Sequence, residues 1–267
     1  MASGQINSTN PNHNNLPHFP FEDSPFRLSM GLLKIPAKEW FEIFDLQERA
    51  FQINEKRRLL SNQHNSVFMA DSSSLAASTE VLNLLHEHLP AFRPDLYSRS
   101  HNTIKLKAYS KFKEETWSTN LKKNAIHPLD IAARLVQEDM IIMLPPESMK
   151  NKSPKGWWLA AGSVAFPSRW SLSDKFGLPM DMIHAPVPFY KEQIQHAVNN
   201  FFNVMPCDEI YARRNWSLYD NSFLRDDGTK QLSNIMQKPI TSTNAGDRLW
   251  LRVERQTLRK LKQTGAI

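Results

Sequence analysis

A chain of 267 residues, 40% of them hydrophobic with seven Trp and fifteen Phe, is long enough for one or two domains around a sizeable core. Only eight glycines occur and no GxGxxG, GxxxxGK[ST] or GxSxG, which excludes the familiar nucleotide loops and the nucleophile elbow; the single cysteine, Cys207, excludes an internal disulfide framework, a four-cysteine zinc site and an intrachain iron–sulfur cluster. The net charge of +6 comes from clusters such as "EKRRLL", "KLKAYSKFK" and "YARRN", which read as solvated faces and strand ends with no nucleic-acid-binding motif around them.

In chain order, residues 1–24 are rich in Asn, Ser, Pro and His without hydrophobic period, and read as a disordered tail. They carry no apolar run of a secretory signal, and no stretch of eighteen apolar residues follows, so the expectation is a soluble, cytoplasmic protein with no membrane partner. Residues 25–267 are expected to form a single domain. "PAKEWFEIFDLQERAFQINEKRRLLSNQ" (36–63) reads as an interrupted helix. "SSSLAASTEVLNLLHEHLPAF" (72–92) reads as a clearer one, with Leu82, Leu85 and Leu89 inward and Pro90 as its stop. His86 and His88, two apart, face different ways and are expected at the surface.

"HPLDIAARLVQEDMIIMLP" (127–145) predicts a helix opened by Pro128, with Asp130 in its first turn, handing over to a buried strand at "DMIIML". "GWWLAAGSVAFPSRW" (156–170) predicts the next strand. Ser171 caps a short helix closed by Gly177. "YKEQIQHAVNNFFNVM" (190–205) is amphipathic. "EIYARRNWSLYD" alternates Tyr211, Arg213, Asn215 and Ser217 against Ala212, Arg214, Trp216 and Leu218, and "RLWLRVERQTLRKL" alternates likewise, so both predict strands. Gly265 in "LKQTGAI" reads as a hairpin turn into the first residues of another strand. Helices first and strands later, with one crossover helix, predict an α+β fold with a largely antiparallel sheet.

One histidine sits in an unusually stiff setting. "SDKFGLPMDMIHAPVPFY" (173–190) places His184 between Pro179 and the pair Pro186 and Pro188. Prolines fix φ and remove amide donors, which would hold the ring in a defined position. The residues leave two readings open: a structural histidine in a rigid loop, or a metal or haem ligand.

Several stretches decide the family. "PFRLSMGL", "NEKRRLL", "HPLDIAARLVQED", "WWLAAGSVAFPSRWSLSDKFGLPMDMIHAPVP", "RRNWSLYD" and "LRVERQTLRKLKQTGAI" resemble, in order, the haem-dependent oxidative N-demethylase α-subunit-like proteins, from about Phe26 to Ile267. The resemblance implies a PAS-like antiparallel sheet with helices packed around a haem b pocket and an N-terminal helical extension. It also implies oxidation of a dimethylamine-like secondary amine with O2 to the primary amine and formaldehyde. FMN, a 2Fe–2S centre and NADPH would belong to partner reductase subunits. In the family the TGAI segment continues into a further strand and an extension that this sequence does not carry.

The resemblance implies His184 as the axial ligand of the haem iron, with His127 as the alternative at a position that also suits a helix cap. Arg169 and Lys175 would face the haem propionates, or form surface salt bridges with Asp174 or Asp181. Glu254 and Arg255 are the candidate catalytic pair: a carboxylate for the protonated amine and a cation for the charge developing on dioxygen. Glu254 and Gln256 share one strand face and Arg255 takes the other; the alternative is a solvated edge of charged cross-strand pairs. Asn215 and Ser217 would add pocket donors, and Trp216 and Trp250 are expected to pack, not to cage an amine.

Overall fold

The computed structural model describes residues 28–109, 112–120, 125–148, 156–228 and 239–267; the expected tail over 1–24 lies outside them. The described part begins with the short strand β1 (Leu33–Ile35), then α1 (Leu46–Asn62), α2 (His64–Val67), β2 (Phe68–Ala70) and α3 (Leu75–Phe92). Asp45 starts α1 by accepting from the amides of Gln47 and Glu48, both at 2.7 Å, so the helical part of 36–63 begins ten residues later than its proline suggests. Trp40 and Phe41 fill the interval, in and after a 3-10 turn at Ala37–Glu39.

Helix α3 runs through Pro90 to Phe92, which corrects the expected stop. In the last turn the missing proline amide costs a single bond, and Arg93 still donates to the Leu89 carbonyl at 2.8 Å. His86 is not a surface residue: it is buried, with Nε2 2.8 Å from the Ser100 carbonyl.

Next come β3 (Tyr97–Ser100), β4 (Thr103–Leu106) and β5 (Glu115–Ser118), then α4 (Pro128–Leu135), β6 (Met140–Leu144) and β7 (Trp158–Ser163). After them follow α5 (Leu172–Lys175), α6 (Met180–Ile183), α7 (Tyr190–Gln193), α8 (Gln195–Val204), β8 (Ile210–Tyr219), α9 (Ala245–Arg248) and β9 (Trp250–Arg259). The fold is mixed α+β and its strands pair antiparallel. They divide into three small sheets, β1-β8-β9, β2-β7-β6 and β3-β4-β5, where the sequence suggested one. The β3-β4-β5 sheet was not foreseen: "KLKAYSKFK" reads as a charge cluster, yet Lys105 lies on the outer side of a strand whose Ile104 and Leu106 are fully buried.

Two apolar clusters hold these parts. The larger gathers α1, α3 and α4 against β4 and β7 through residues such as Ile53, Leu82, Leu85, Ile104 and Ile131, all without solvent exposure. The smaller positions the site. Leu172, Met180 and Ile183 pack with Trp157, Leu159 and Phe202, and Tyr211 of β8 and Leu258 of β9 close over them. Burial of each such large side chain contributes about 1.5–3 kcal/mol.

The chain end ties two sheets together. Gly265, at φ 70°, donates to the Leu261 carbonyl at 3.0 Å, and the turn delivers Ile267 to β6. There Ile267 and Met143 exchange both amide bonds, at 3.0 and 2.6 Å, as a hydrogen-bonded antiparallel pair does. The expected turn is present; no strand is assigned after it, Leu261 donates to the Ala266 carbonyl at 2.7 Å, and Ile267 alone reaches β6.

Candidate functional site

The segment bearing His184 is fastened to β7 before it turns. Gly177 donates to the Leu159 carbonyl at 2.9 Å, Leu159 to Leu178 at 3.0 Å, and Met180 to Trp157 at 2.8 Å. With Pro179 extended as its N-cap, α6 makes one turn and ends at His184. Both the amide and the ring Nδ1 of His184 meet the carbonyl of Met180, at 3.1 and 2.9 Å. A carbonyl oxygen only accepts, so Nδ1 carries the proton and Nε2 presents its lone pair.

The ring is held on its flat side as well. Tyr190 stacks on it at 4.7 Å between centroids, with planes 13° apart. Two further amide bonds, Val187 to His184 at 2.8 Å and Tyr190 to Val187 at 3.2 Å, wind the intervening residues into tight turns, and Phe189 takes the left-handed conformation at φ 62°. The result is a cleft of about 510 Å³ lined by Met182, His184, Pro186, Val187, Phe189 and Tyr190 among others. Met182 and Phe189 leave more than half their surface to solvent. Burial lowers the pKa of His184 below the usual imidazole value; the Met180 carbonyl opposes the shift, and the charges of Lys175 and Arg213 add to it.

Lys175, at the end of α5, donates to the Ile183 carbonyl at 2.9 Å, one residue before the ligand candidate, and its ammonium lies 5.0 Å from the Trp170 ring centre. Arg169 is directed elsewhere. Its guanidinium donates to the Leu218 carbonyl at 2.8 Å and covers the Tyr219 ring at 4.1 Å. His127 is the N-cap of α4, where Nδ1 accepts from the Leu129 amide at 3.3 Å. An accepting Nδ1 puts the proton of the neutral ring on Nε2, the reverse of His184.

The β8–β9 ladder pairs Arg213 with Gln256, Asn215 with Glu254 and Ser217 with Arg252, and opposed residues in an antiparallel pair share a face. Asn215, Ser217, Glu254 and Gln256 therefore come together on the face that continues from Tyr211 and Leu258, the two residues packed on the site's core. Glu254 is paired along its own strand with Arg252 Nε at 2.8 Å. Arg255 faces the opposite way, as the alternation predicts. It donates to the carbonyls of Glu39 and Trp40 and lies 3.3 Å from Glu42. Trp216 and Trp250 are on opposite faces, each more than a third exposed, so they form no common cage.

Two residues of this region were not singled out from sequence. Tyr190 is one, because its contact with His184 depends on the turns between them. Arg213 is the other: the alternation of β8 names it, but nothing local shows that its Nε is buried without a hydrogen-bond partner among the described residues. Burial pushes its pKa down as well. Among the described residues no three His, Cys, Asp or Glu side chains gather as an ion site. No helix among them is long and apolar enough to cross a membrane.

A comparison with curated proteins finds no match. A family described as "Haem-dependent oxidative N-demethylase, alpha subunit-like" matches residues 31–267, a span that contains the His184 segment and the whole β8–β9 ladder. The chain belongs to that haem-dependent oxidative N-demethylase alpha-subunit-like family.

Proposed function

We propose that this chain binds haem b with His184 as axial ligand and acts as the haem subunit of an oxidative N-demethylase for a small secondary amine. The observation that carries the proposal is the 2.9 Å contact of His184 Nδ1 with the Met180 carbonyl, which leaves Nε2 as a lone-pair donor. What supports the reading is a cleft in which Pro186, Val187, Phe189 and the stacked Tyr190 adjoin the polar side chains of Asp181, Lys191 and Glu192, with the Lys175 ammonium held on the Ile183 carbonyl one residue from His184. In this reading residues 25–267 are one unit, in which the β8–β9 ladder and helices α5–α8 serve as the sheet and helices of a PAS-like pocket.

Haem, when bound, would supply oxidation of the N-methyl group, in which O2, two electrons and two protons give a carbinolamine and water, and the carbinolamine collapses to formaldehyde and the primary amine. The electrons would come from NADPH through FMN and a 2Fe–2S centre on partner subunits. The chain's own residues bind and orient. Glu254 would accept from the ammonium of the amine, and Asn215, Ser217 and Gln256 would offer hydrogen bonds on the same face. Arg255 works from the other face as a positioning residue, holding the 39–42 segment against β9. Arg169, held by Leu218 and Tyr219, would brace the loop before α5 and not meet a propionate.

The test is an absorption spectrum of protein supplied with haem, repeated for His184→Ala and for His127→Ala, then titrated with dimethylamine. The expected result is a Soret band that is lost or shifted in His184→Ala, unchanged in His127→Ala, and perturbed by amine. A Soret band indifferent to amine, without amine-dependent turnover, would make the chain a haem sensor instead. A folded protein with no Soret band would end the haem assignment.

A further inference from the structure

We propose that residues 16–27 of this chain cover the open side of the His184 cleft, with Phe19, Phe21 and Phe26 laid on its apolar wall. The inference goes beyond the haem reading and does not depend on it. Four observations carry it.

The first is what the cleft exposes. Met182 and Phe189 leave more than half of their surface to solvent and Val187 more than a third, and Pro186 and Pro188 beside them are exposed too. Scattered apolar residues need no cover, but these five line one cleft of about 510 Å³. Phe189 is also held at φ 62°, a conformation that costs any bulky residue free energy. A strained turn that displays an aromatic ring to water is accounted for if the ring has something to meet.

The second is where the chain arrives. The Leu28 amide donates to Oε1 of Gln193 at 2.9 Å, and Gln193 closes α7, the turn whose Tyr190, Lys191 and Glu192 line the cleft. Beyond Leu28 the chain is pinned again where β1 pairs with β8. The residues before Leu28 therefore set out from the rim of the cleft. At about 3.3 Å per residue, full extension carries Phe26 about 7 Å from Leu28 and Phe21 about 23 Å.

The third is composition. Residues 1–15 contain no aromatic side chain, whereas "LPHFPFEDSPFR" (16–27) carries three Phe and one Leu among three prolines. It has apolar surface to bury, next to a cleft that has apolar surface to cover. Prolines leave an unbound chain few conformations, so laying it in a groove costs little further entropy, and aromatic-lined grooves suit such segments.

The fourth is charge. The cleft carries both signs, Asp181 and Glu192 against Lys191. The segment carries both as well, with Arg27 next to Leu28 and the pair Glu22 and Asp23 further back. The Leu28–Gln193 bond places Arg27 to meet Glu192, and leaves Glu22 and Asp23 for Lys191.

The test uses the full chain as purified, carrying Phe21→p-benzoylphenylalanine, a side chain that on illumination inserts into the C–H bonds it touches. The expected result is a cross-link within one chain, mapped by mass spectrometry to residues 181–192. A cross-link elsewhere in the chain, or none, would overturn the inference. So would a cross-link between two chains, which would make a neighbouring copy's segment the cover.

Amide exchange supplies a second measurement, on a chain with Phe19→Ser, Phe21→Ser and Phe26→Ser. Exchange at Val187 and Tyr190, whose amides bond within the cleft wall at 2.8 and 3.2 Å, is expected to rise about tenfold, while Leu82 and Leu85 of α3 keep wild-type rates. Equal rates at Val187 and Tyr190 in the two proteins would mean that residues 16–27 do not cover the cleft. Faster exchange at Leu82 and Leu85 as well would mean that the segment serves the whole fold, which also overturns the inference. Neither measurement reads the Soret band, so failure here leaves the haem assignment standing.

Discussion

The imidazole of His184 and the phenol ring of Tyr190 lie face to face, 4.7 Å apart, and the hydroxyl of that tyrosine is buried without a hydrogen-bond partner among the described residues. Burial pushes the Tyr190 pKa up to about 12, so the group stays a neutral phenol at ordinary pH. The ring orients the histidine, and its hydroxyl contributes nothing to stability in this arrangement. Tyr190→Phe is expected to leave folding stability unchanged or raise it by up to about 1 kcal/mol, since it removes an unmatched buried polar atom. Tyr190→Ala is expected to cost about 3 kcal/mol from lost burial and stacking, and to weaken haem binding. Urea denaturation and Soret titration of the two variants check this; a large loss in Tyr190→Phe would mean that the hydroxyl has a partner in solution.

Gly162 in β7 passes close to α5. A Cβ at this position would stand 2.8 Å from Cδ1 of Leu172, the buried first residue of the helix that carries Lys175. Gly162→Ala is therefore expected to destabilise by about 1–3 kcal/mol through overpacking. Leu172→Ala opens the space, so the double variant should be less destabilised than the two singles summed. A double-mutant cycle measured by thermal unfolding decides it, and strict additivity would contradict the contact.

Glu42 joins β8 and β9 to the segment before α1, through Arg214 at 3.0 and 3.1 Å and Arg255 at 3.3 Å. These side chains are 15–32% exposed, so screening is partial. Glu42→Gln should cost about 1 kcal/mol, less at high salt, and should raise amide exchange over residues 36–44. Equal exchange rates in the two proteins would show the clamp to be inert.

His88 provides the pH dependence. It packs among Trp40, Phe41 and Phe92, at 5.0, 5.8 and 4.5 Å between ring centres, and burial, aided by the Arg259 charge, lowers its pKa to about 4. A depressed native pKa means that protonation favours the unfolded chain. The stability this ring contributes is complete above about pH 6.5 and is lost as pH falls toward 4. The ring is half-buried, so the loss is on the order of 1 kcal/mol after screening. His88→Phe should flatten the stability curve over that window; an identical curve would assign the acid sensitivity to other groups.

Much of the fold was legible because its determinants are local. Pro128 and Asp130 mark the start of α4, Ser171 caps α5 with its hydroxyl 3.3 Å from the Asp174 amide, and the alternation in "EIYARRNWSLYD" defines β8 and its two faces. The same alternation correctly separates Glu254 and Gln256 from Arg255. Where charge masked pattern, the reading failed. Lys105 and Lys107 hid the strand around Ile104 and Leu106, and the polarity of His86 hid its burial under the β3–β4 turn.

The sequence by itself determined most of the helices and the long strands β8 and β9, that His184 would be held rigidly, and which family the residues resemble. Those outcomes depend on capping bonds three residues away, on side-chain alternation and on proline stiffness, all written within single segments. Only the tertiary structure decided where each charge finds its partner. Arg255 meets a carbonyl 215 residues earlier in the chain, whereas Arg213, two positions from Asn215 on the same strand, meets no acid among the described residues. Partnering is set by what packs opposite a side chain, and that is a property of the assembled layers, not of the segment that carries it.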